Sequence, residues 1–292
     1  YIYMPELPEV EVVKRSLINK VQNLIIKSVK INDGRLRYKV DKNQIKRIIG
    51  LKLKKISRRS KYLLFFFNKD VIMLVHLGMT GKFFFINRKK TEYKTSFYYD
   101  INKDKDKKHD RVIFSLSRDQ KLIYNDVRKF GFIKFLNKKN LDNSLHLSNL
   151  GPEPLNKKFN FVYFKRYIFG RNRTIKDILM DQKFVSGLGN IYVNEILFSS
   201  GIKPTKKIQN LLNNEIKKII KFTKIILSRA IALGGSSIKD FSSSNGKKGL
   251  FQQQFSVYGR KGEKCSNKNC HSDIIKIIIA NRASFYCPKC QK

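Results

Sequence analysis

Acidic residues, cysteines and long apolar runs are all scarce in this chain, and each shortage narrows what it can be. Asp and Glu number 22 against 62 Lys and Arg among 292 residues, a formal charge of +40. A surface so basic attracts polyanions through counterion release and long-range steering, which makes nucleic acid the expected partner. The chain is also heavy in Lys, Asn and Ile, which AT-rich codons favour; that discounts the size of the charge excess but not its sign. No apolar run approaches the roughly 20 residues that a membrane-spanning helix needs. The N-terminal region also lacks the apolar stretch of a signal peptide, so the expectation is a cytoplasmic protein with no membrane partner. Hydrophobic residues still make up 41%, enough at this length to bury the cores of two domains and to exclude a disordered tail.

The four cysteines fall at the C-terminal end as Cys265-x4-Cys270-x16-Cys287-x2-Cys290. Two close pairs separated by a hairpin's length suit a tetrahedral thiolate cage, with one structural zinc ion as the expected cofactor. Two disulfides are the alternative, which a reducing cytosol disfavours. Four thiolates complete the shell, leaving no open position for water and making His271 a bystander. Residues 274–279 and 282–286 read as the two strands of the hairpin, with Ala280 and Asn281 at its turn.

Periodicity divides the rest. Leu7, Val10, Val13, Leu17 and Val21 recur every three to four residues, predicting an amphipathic helix. Residues 24–136 carry short apolar and β-branched runs, including 61–67, 71–75, 111–116 and 132–136, which predict a strand sandwich or barrel. The charged insert over 87–110 is expected to be a mobile loop. Polar residues 137–144 and the Gly151-Pro152-Glu153-Pro154 turn mark a boundary, and helical spacing returns near Leu150. Thr174 can cap a helix running through Met180, Asn190 can start one closed by Gly201, and 211–233 predicts a long one closed by Gly234 and Gly235. Residues 234–258, rich in Gly, Ser and Gln, are expected to be a flexible loop.

The N-terminal stretch Met4-Pro5-Glu6-Leu7-Pro8-Glu9-Val10 carries the chemistry. Proline directly after an initiator methionine can become a terminal secondary amine, a nucleophile, and the Glu6 carboxylate beside it can move protons. The plain alternative is a helix start, with proline early and acids at the positive end of the dipole. Tyr1, Ile2 and Tyr3 read as translated upstream of the true start, so the mature chain is expected to begin at Pro5.

This heptapeptide is followed in order by Arg58-Arg59-Ser60-Lys61-Tyr62-Leu63-Leu64, His76-Leu77-Gly78-Met79, Asp126-Val127-Arg128-Lys129-Phe130-Gly131 and Gly187-Leu188-Gly189-Asn190-Ile191-Tyr192, then by the four cysteines. Together these tracts resemble the bacterial formamidopyrimidine-DNA glycosylases over essentially everything after Met4. The resemblance implies an α+β fold. An antiparallel β-sandwich with an N-terminal helix (4–138) would be followed by a helix-two-turn-helix domain (150–234), a base-covering loop (235–258) and a zinc ribbon (259–292).

It further implies a monomer acting on double-stranded DNA that contains a damaged base. The expected activity is that of a bifunctional glycosylase and AP lyase excising oxidised purines, with Pro5 as nucleophile and Glu6 as acid and base. Lys61 would assist β-elimination and Arg282 the second elimination, while Glu9 orders the N-terminus. Met79, Arg128 and Phe130 match wedge residues that fill the gap left by the extruded base. His109, Asn190 and Lys176 match DNA-binding positions. Asn172 stands where the family often has a DNA-contacting lysine, a role Arg171 and Arg173 would take over. The first pair of zinc ligands is more widely spaced here than is usual in the family. An endonuclease-eight-like enzyme for oxidised pyrimidines, or a non-catalytic basic nucleic-acid-binding protein, are the rival readings.

Overall fold

The computed structural model describes residues 4–88, 92–94, 107–235 and 254–292. Its contacts divide it into two compact units, Tyr1–Ser148 with Gly234–Leu250 and Asn149–Leu233 with Phe251–Lys292.

In the first unit α1 spans Leu7–Val21, with Pro8 early and Glu9 in its first turn, where the helix dipole favours an acid. Its periodic apolar residues Leu7, Val10, Val13, Leu17 and Val21 are all buried. The strands that follow are β1 (Ile26–Ile31), β2 (Leu53–Arg59), β3 (Tyr62–Phe67), β4 (Val71–His76), β5 (Lys82–Ile86), β6 (Glu92–Lys94), β7 (Asp110–Leu116), β8 (Gln120–Asn125) and β9 (Phe132–Asn137). They form two sheets of order β1-β7-β8-β5-β6 and β2-β3-β4-β9. Alternate residues share one core with α1, as period-two side chains must when one face of each sheet is buried. Phe83 and Phe85 of β5 and Val112, Phe114 and Leu116 of β7 meet Leu63, Phe65 and Phe67 of β3 there. The Phe65 and Phe83 rings lie 5.7 Å apart across the two sheets. Each such fully buried side chain contributes about 1.5–3 kcal/mol.

Two features depart from the sequence reading. A five-residue helix α2 (Lys42–Lys46) interrupts the strand region, capped by Asp41, whose Oδ1 accepts from the amides of Asn43 and Gln44; it is too short to show a helical period. Within the charged insert, β6 pairs with β5 and extends a sheet. Residues 89–91 and 95–106, where a mobile loop is expected, lie outside the described residues.

The second unit holds helices α3 (Phe161–Ile168), α4 (Ile175–Met180), α5 (Asn190–Ser200) and α6 (Asn213–Ala232), then strands β10 (Ile275–Ile279) and β11 (Arg282–Tyr286). Thr174 caps α4 by accepting from the Asp177 amide, and Gly201, left-handed at φ 72°, closes α5. Between α4 and α5 the Gln182 side chain ties the turn, accepting from the Gly187 amide at 2.8 Å and donating to the Leu188 carbonyl at 2.8 Å. Ile279 pairs with Arg282, so Ala280 and Asn281 alone form the hairpin turn, both with positive φ as a type I′ turn requires. Residues 236–253 of the expected flexible loop lie outside the described residues. Its end is fixed: the amides of Ser256, Val257 and Tyr258 all donate to the buried carboxylate of Glu195.

Candidate functional site

In the first unit Pro5 and Glu6 are buried at the head of α1. Glu6 is the N-cap, and its amide donates to Glu9 Oε2 at 2.9 Å, so Glu9 orders the segment that carries the candidate nucleophile. Lys61 sits at the tip of the hairpin between β2 and β3, where Arg59 pairs directly with Tyr62 and Ser60 takes a φ of 56°. Arg58 links this tip to α1. Its Nε donates to Glu11 Oε2 at 3.0 Å and its Nη1 donates to the Ser60 carbonyl at 2.9 Å.

His76 ends β4 close enough to feel Lys61. Burial first, then the charges of Lys61, Arg37 and His146, push it down to about 4, so the ring is neutral at physiological pH. Its Nδ1 accepts from the Gly78 amide at 3.1 Å, which places the ring proton on Nε2. Sequence reasoning quoted His76 in a motif but gave it no role; a histidine directly ahead of a Leu-Gly-Met turn was the signal.

The candidate wedge residues stand on two loops in direct backbone contact. A Cβ on Gly78 would strike the Phe130 and Gly131 backbone, so only glycine permits this approach. Met79 follows on one loop, partly exposed. On the other, Phe130 is 44% exposed, too exposed for a core aromatic, and the Arg128 guanidinium stacks 4.6 Å from its ring centroid. His109 is partly buried, its Nδ1 3.0 Å from Nη2 of Arg111, which also contacts Asp33.

In the second unit Arg282 opens β11, exposed beside the hairpin turn. The outer edge of that strand is held by three side chains. Lys176 Nζ donates to the Ala283 carbonyl at 2.9 Å and to Ser284 Oγ at 2.6 Å. Asn190 Nδ2 donates to the same carbonyl at 2.9 Å, and Asn194 Oδ1 accepts from the Phe285 amide at 2.7 Å. Lys176, expected at a DNA-binding position, is 1% exposed, and its ammonium braces the hairpin. Arg173, half-buried, is bonded to Asp177 at 2.6 Å and Asp181 at 2.8 Å, which balance its charge and raise its pKa. Arg171 and Asn172 remain exposed, with Arg171 bonded through Nε to the Tyr167 carbonyl and stacked on the Tyr167 ring. Asn194, Gln182 and Glu195 were missed because a lone polar residue inside an apolar helix or turn carries no periodic signal.

The sulfur atoms of Cys265, Cys270, Cys287 and Cys290 all lie within 4.8 Å of one another. Cys265 and Cys290 are 3.8 Å apart and Cys270 and Cys287 3.6 Å. Tetrahedral thiolates 2.3 Å from a zinc ion would sit about 3.8 Å apart, so the cage fits that ion. Sulfurs at these separations are not disulfide-bonded.

Compared with known proteins, residues 4–133 match the formamidopyrimidine-DNA glycosylase N-terminal domain, and residues 150–242 match the formamidopyrimidine-DNA glycosylase H2TH domain. A formamidopyrimidine-DNA glycosylase of Rickettsia felis is 41% identical over 288 residues, covering 99% of this chain and 98% of that protein. One from Bradyrhizobium sp. is 36% identical, covering 99% of this chain and 100% of its own length. Among solved structures, a Lactococcus lactis Fpg bound to DNA containing an abasic site is 34% identical with a TM-score of 0.84, covering 98% of this chain and 99% of that one. A mutant of the same protein with DNA containing Fapy-dG gives 35% and 0.85, covering 99% and 100%.

Proposed function

Because the chain belongs to the formamidopyrimidine-DNA glycosylase family, DNA glycosylases of base excision repair, we propose that it excises oxidised purines from duplex DNA and then cleaves the strand as an AP lyase. The observation that carries the reading is the tie between the two halves of the chemistry: Glu11 on the helix headed by Pro5 and Glu6 holds Arg58, which in turn grips the turn bearing Lys61.

With Pro5 as the mature N-terminus, its secondary amine attacks C1′ of the damaged nucleotide as the base leaves, forming an iminium. Glu6 protonates the ring oxygen as the sugar opens. The fixed positive charge of a proline iminium acidifies the C2′ hydrogen, so β-elimination expels the 3′ phosphate. Lys61 stabilises that phosphate, and Arg282 assists the δ-elimination that expels the 5′ phosphate. The amine must be free base to attack, a state that a neighbouring positive charge favours by disfavouring protonation.

Extruding a base leaves a gap that must be filled or unstacking becomes too costly. Met79, Arg128 and Phe130 fill it; Phe130 supplies the flat apolar wedge and Arg128 the paired donors that read the orphaned base. Asn190, at a helix N-terminus, and His109 grip phosphates. Cys265, Cys270, Cys287 and Cys290 hold one zinc ion, which organises the hairpin and leaves no open position for catalysis. Cleavage of duplexes holding 8-oxoguanine opposite cytosine or thymine glycol opposite adenine tests the substrate class. Preference for the first is expected, and preference for the second would overturn it.

A further inference from the structure

Asp126 is fully buried, and its carboxylate stands between the two loops that carry Met79, Arg128 and Phe130. Thr80, next to Met79, donates its hydroxyl to Oδ1 at 2.5 Å. Gly131, next to Phe130, donates its amide to Oδ2 at 2.9 Å, and the Tyr124 hydroxyl approaches the same oxygen at 3.5 Å. The Thr80 oxygen in turn accepts from the amide of Arg128 at 2.9 Å. The Asp126 main-chain carbonyl is held separately by Arg111 Nε at 2.8 Å. One carboxylate thus closes the loop from 126 to 131 on itself and clips it to the loop from 76 to 81, with Thr80 as the shared link.

Resting on the wedge reading above, we propose that Asp126, acting through Thr80, is the positioning residue that sets Met79 and Phe130 in register for base extrusion. A wedge must be rigid, because a side chain that yields on entering the stack cannot hold the bases apart. Phe130 is exposed and Met79 partly exposed, both on loops, so their precision comes from the backbone they ride on. A carboxylate suits the task because it accepts on both oxygens. An amide in its place satisfies one donor and turns its own N–H toward the other.

The test compares Asp126→Asn, Thr80→Val, Thr80→Ser and Phe130→Ala. Two rates are read: excision of 8-oxoguanine from a duplex, which needs extrusion, and cleavage at an abasic site in single-stranded DNA, which does not. Fluorescence of 2-aminopurine next to the lesion reports stacking directly. Asp126→Asn and Thr80→Val are each expected to slow duplex excision at least tenfold and to suppress the fluorescence rise, with single-strand cleavage within about twofold of wild type. Their double variant is expected to lose less than the product of the two single losses, since both remove the shared bond between Thr80 and Asp126, and Thr80→Ser is expected to restore excision. Equal loss of both rates in Asp126→Asn and Thr80→Val, or no loss of duplex excision, overturns the proposal. If Phe130→Ala leaves duplex excision unchanged, the wedge reading itself fails, a result separable from failure of the brace.

Discussion

Nε of Arg58 donates to Oε2 of Glu11 at 3.0 Å, binding the end of β2, just before the turn that carries Lys61, to the helix that begins after Pro5 and Glu6. Both side chains are about nine-tenths shielded from solvent. Burial alone would raise the Glu11 carboxyl, but bonds from Lys14 and Arg58 and their charges outweigh it and hold the pKa below the usual range. A carboxylate lowered in the folded state contributes stability above its unfolded pKa and loses it as pH falls through the folded value. Glu11→Gln should therefore lower the melting temperature near neutrality, by about 1–3 kcal/mol of stability. The gap to wild type should close as the solution is acidified below pH ~4. The same variant should slow β-elimination at an abasic site about tenfold by loosening Lys61. A pH series of melting curves and a lyase assay check both.

His76 gives a second pH signature of the opposite group type. Its folded pKa of about 4 lies below that of a free imidazole, so the unfolded chain takes up a proton first and stability falls as pH drops from 6.5 toward 4. The loss amounts to about 3 kcal/mol at most. Nuclear magnetic resonance of the ring should show His76 neutral from pH 8 to 5. His76→Phe should flatten the acid limb while costing about 1 kcal/mol at neutrality through the orphaned Gly78 amide.

Lys176 and Arg282 separate bracing from phosphate contact. Arg282→Ala should reduce the slope of log affinity against log salt by about 1, as for loss of one phosphate contact. Lys176→Met should leave that slope unchanged, since its ammonium is spent on Ala283 and Ser284. It should instead destabilise the second unit by about 2–4 kcal/mol through two lost charged hydrogen bonds. Binding isotherms at several salt concentrations, with a melting curve, distinguish the two.

The cysteine cage predicts one zinc ion per chain. Metal analysis of the purified protein should find one equivalent, and Cys287→Ser should lose it. Removal by a strong chelator should weaken DNA binding at least tenfold by unfolding the β10–β11 hairpin.

What the sequence displayed was whatever has a period or a fixed spacing. The α1 stripe from Leu7 to Val21, the alternating strands of the sandwich, the Ala280-Asn281 turn and the cysteine pairs were all legible for that reason. The placement of Lys176 and Arg173 was not, because a basic residue reads alike whether it faces solvent, a carbonyl more than a hundred residues away, or two aspartates one and two turns on. The clip made by Asp126 was hidden for a related reason: Thr80, 46 residues away, reaches it only once the fold brings the two loops together.

Borohydride trapping on an abasic duplex followed by peptide mass mapping tests most directly whether the Pro5 nitrogen bonds to sugar carbon. A protein beginning at Pro5 should yield a stable adduct on the N-terminal peptide, at Pro5 itself. A full-strength adduct on a lysine, or an active preparation whose chain still begins at Tyr1, would contradict it.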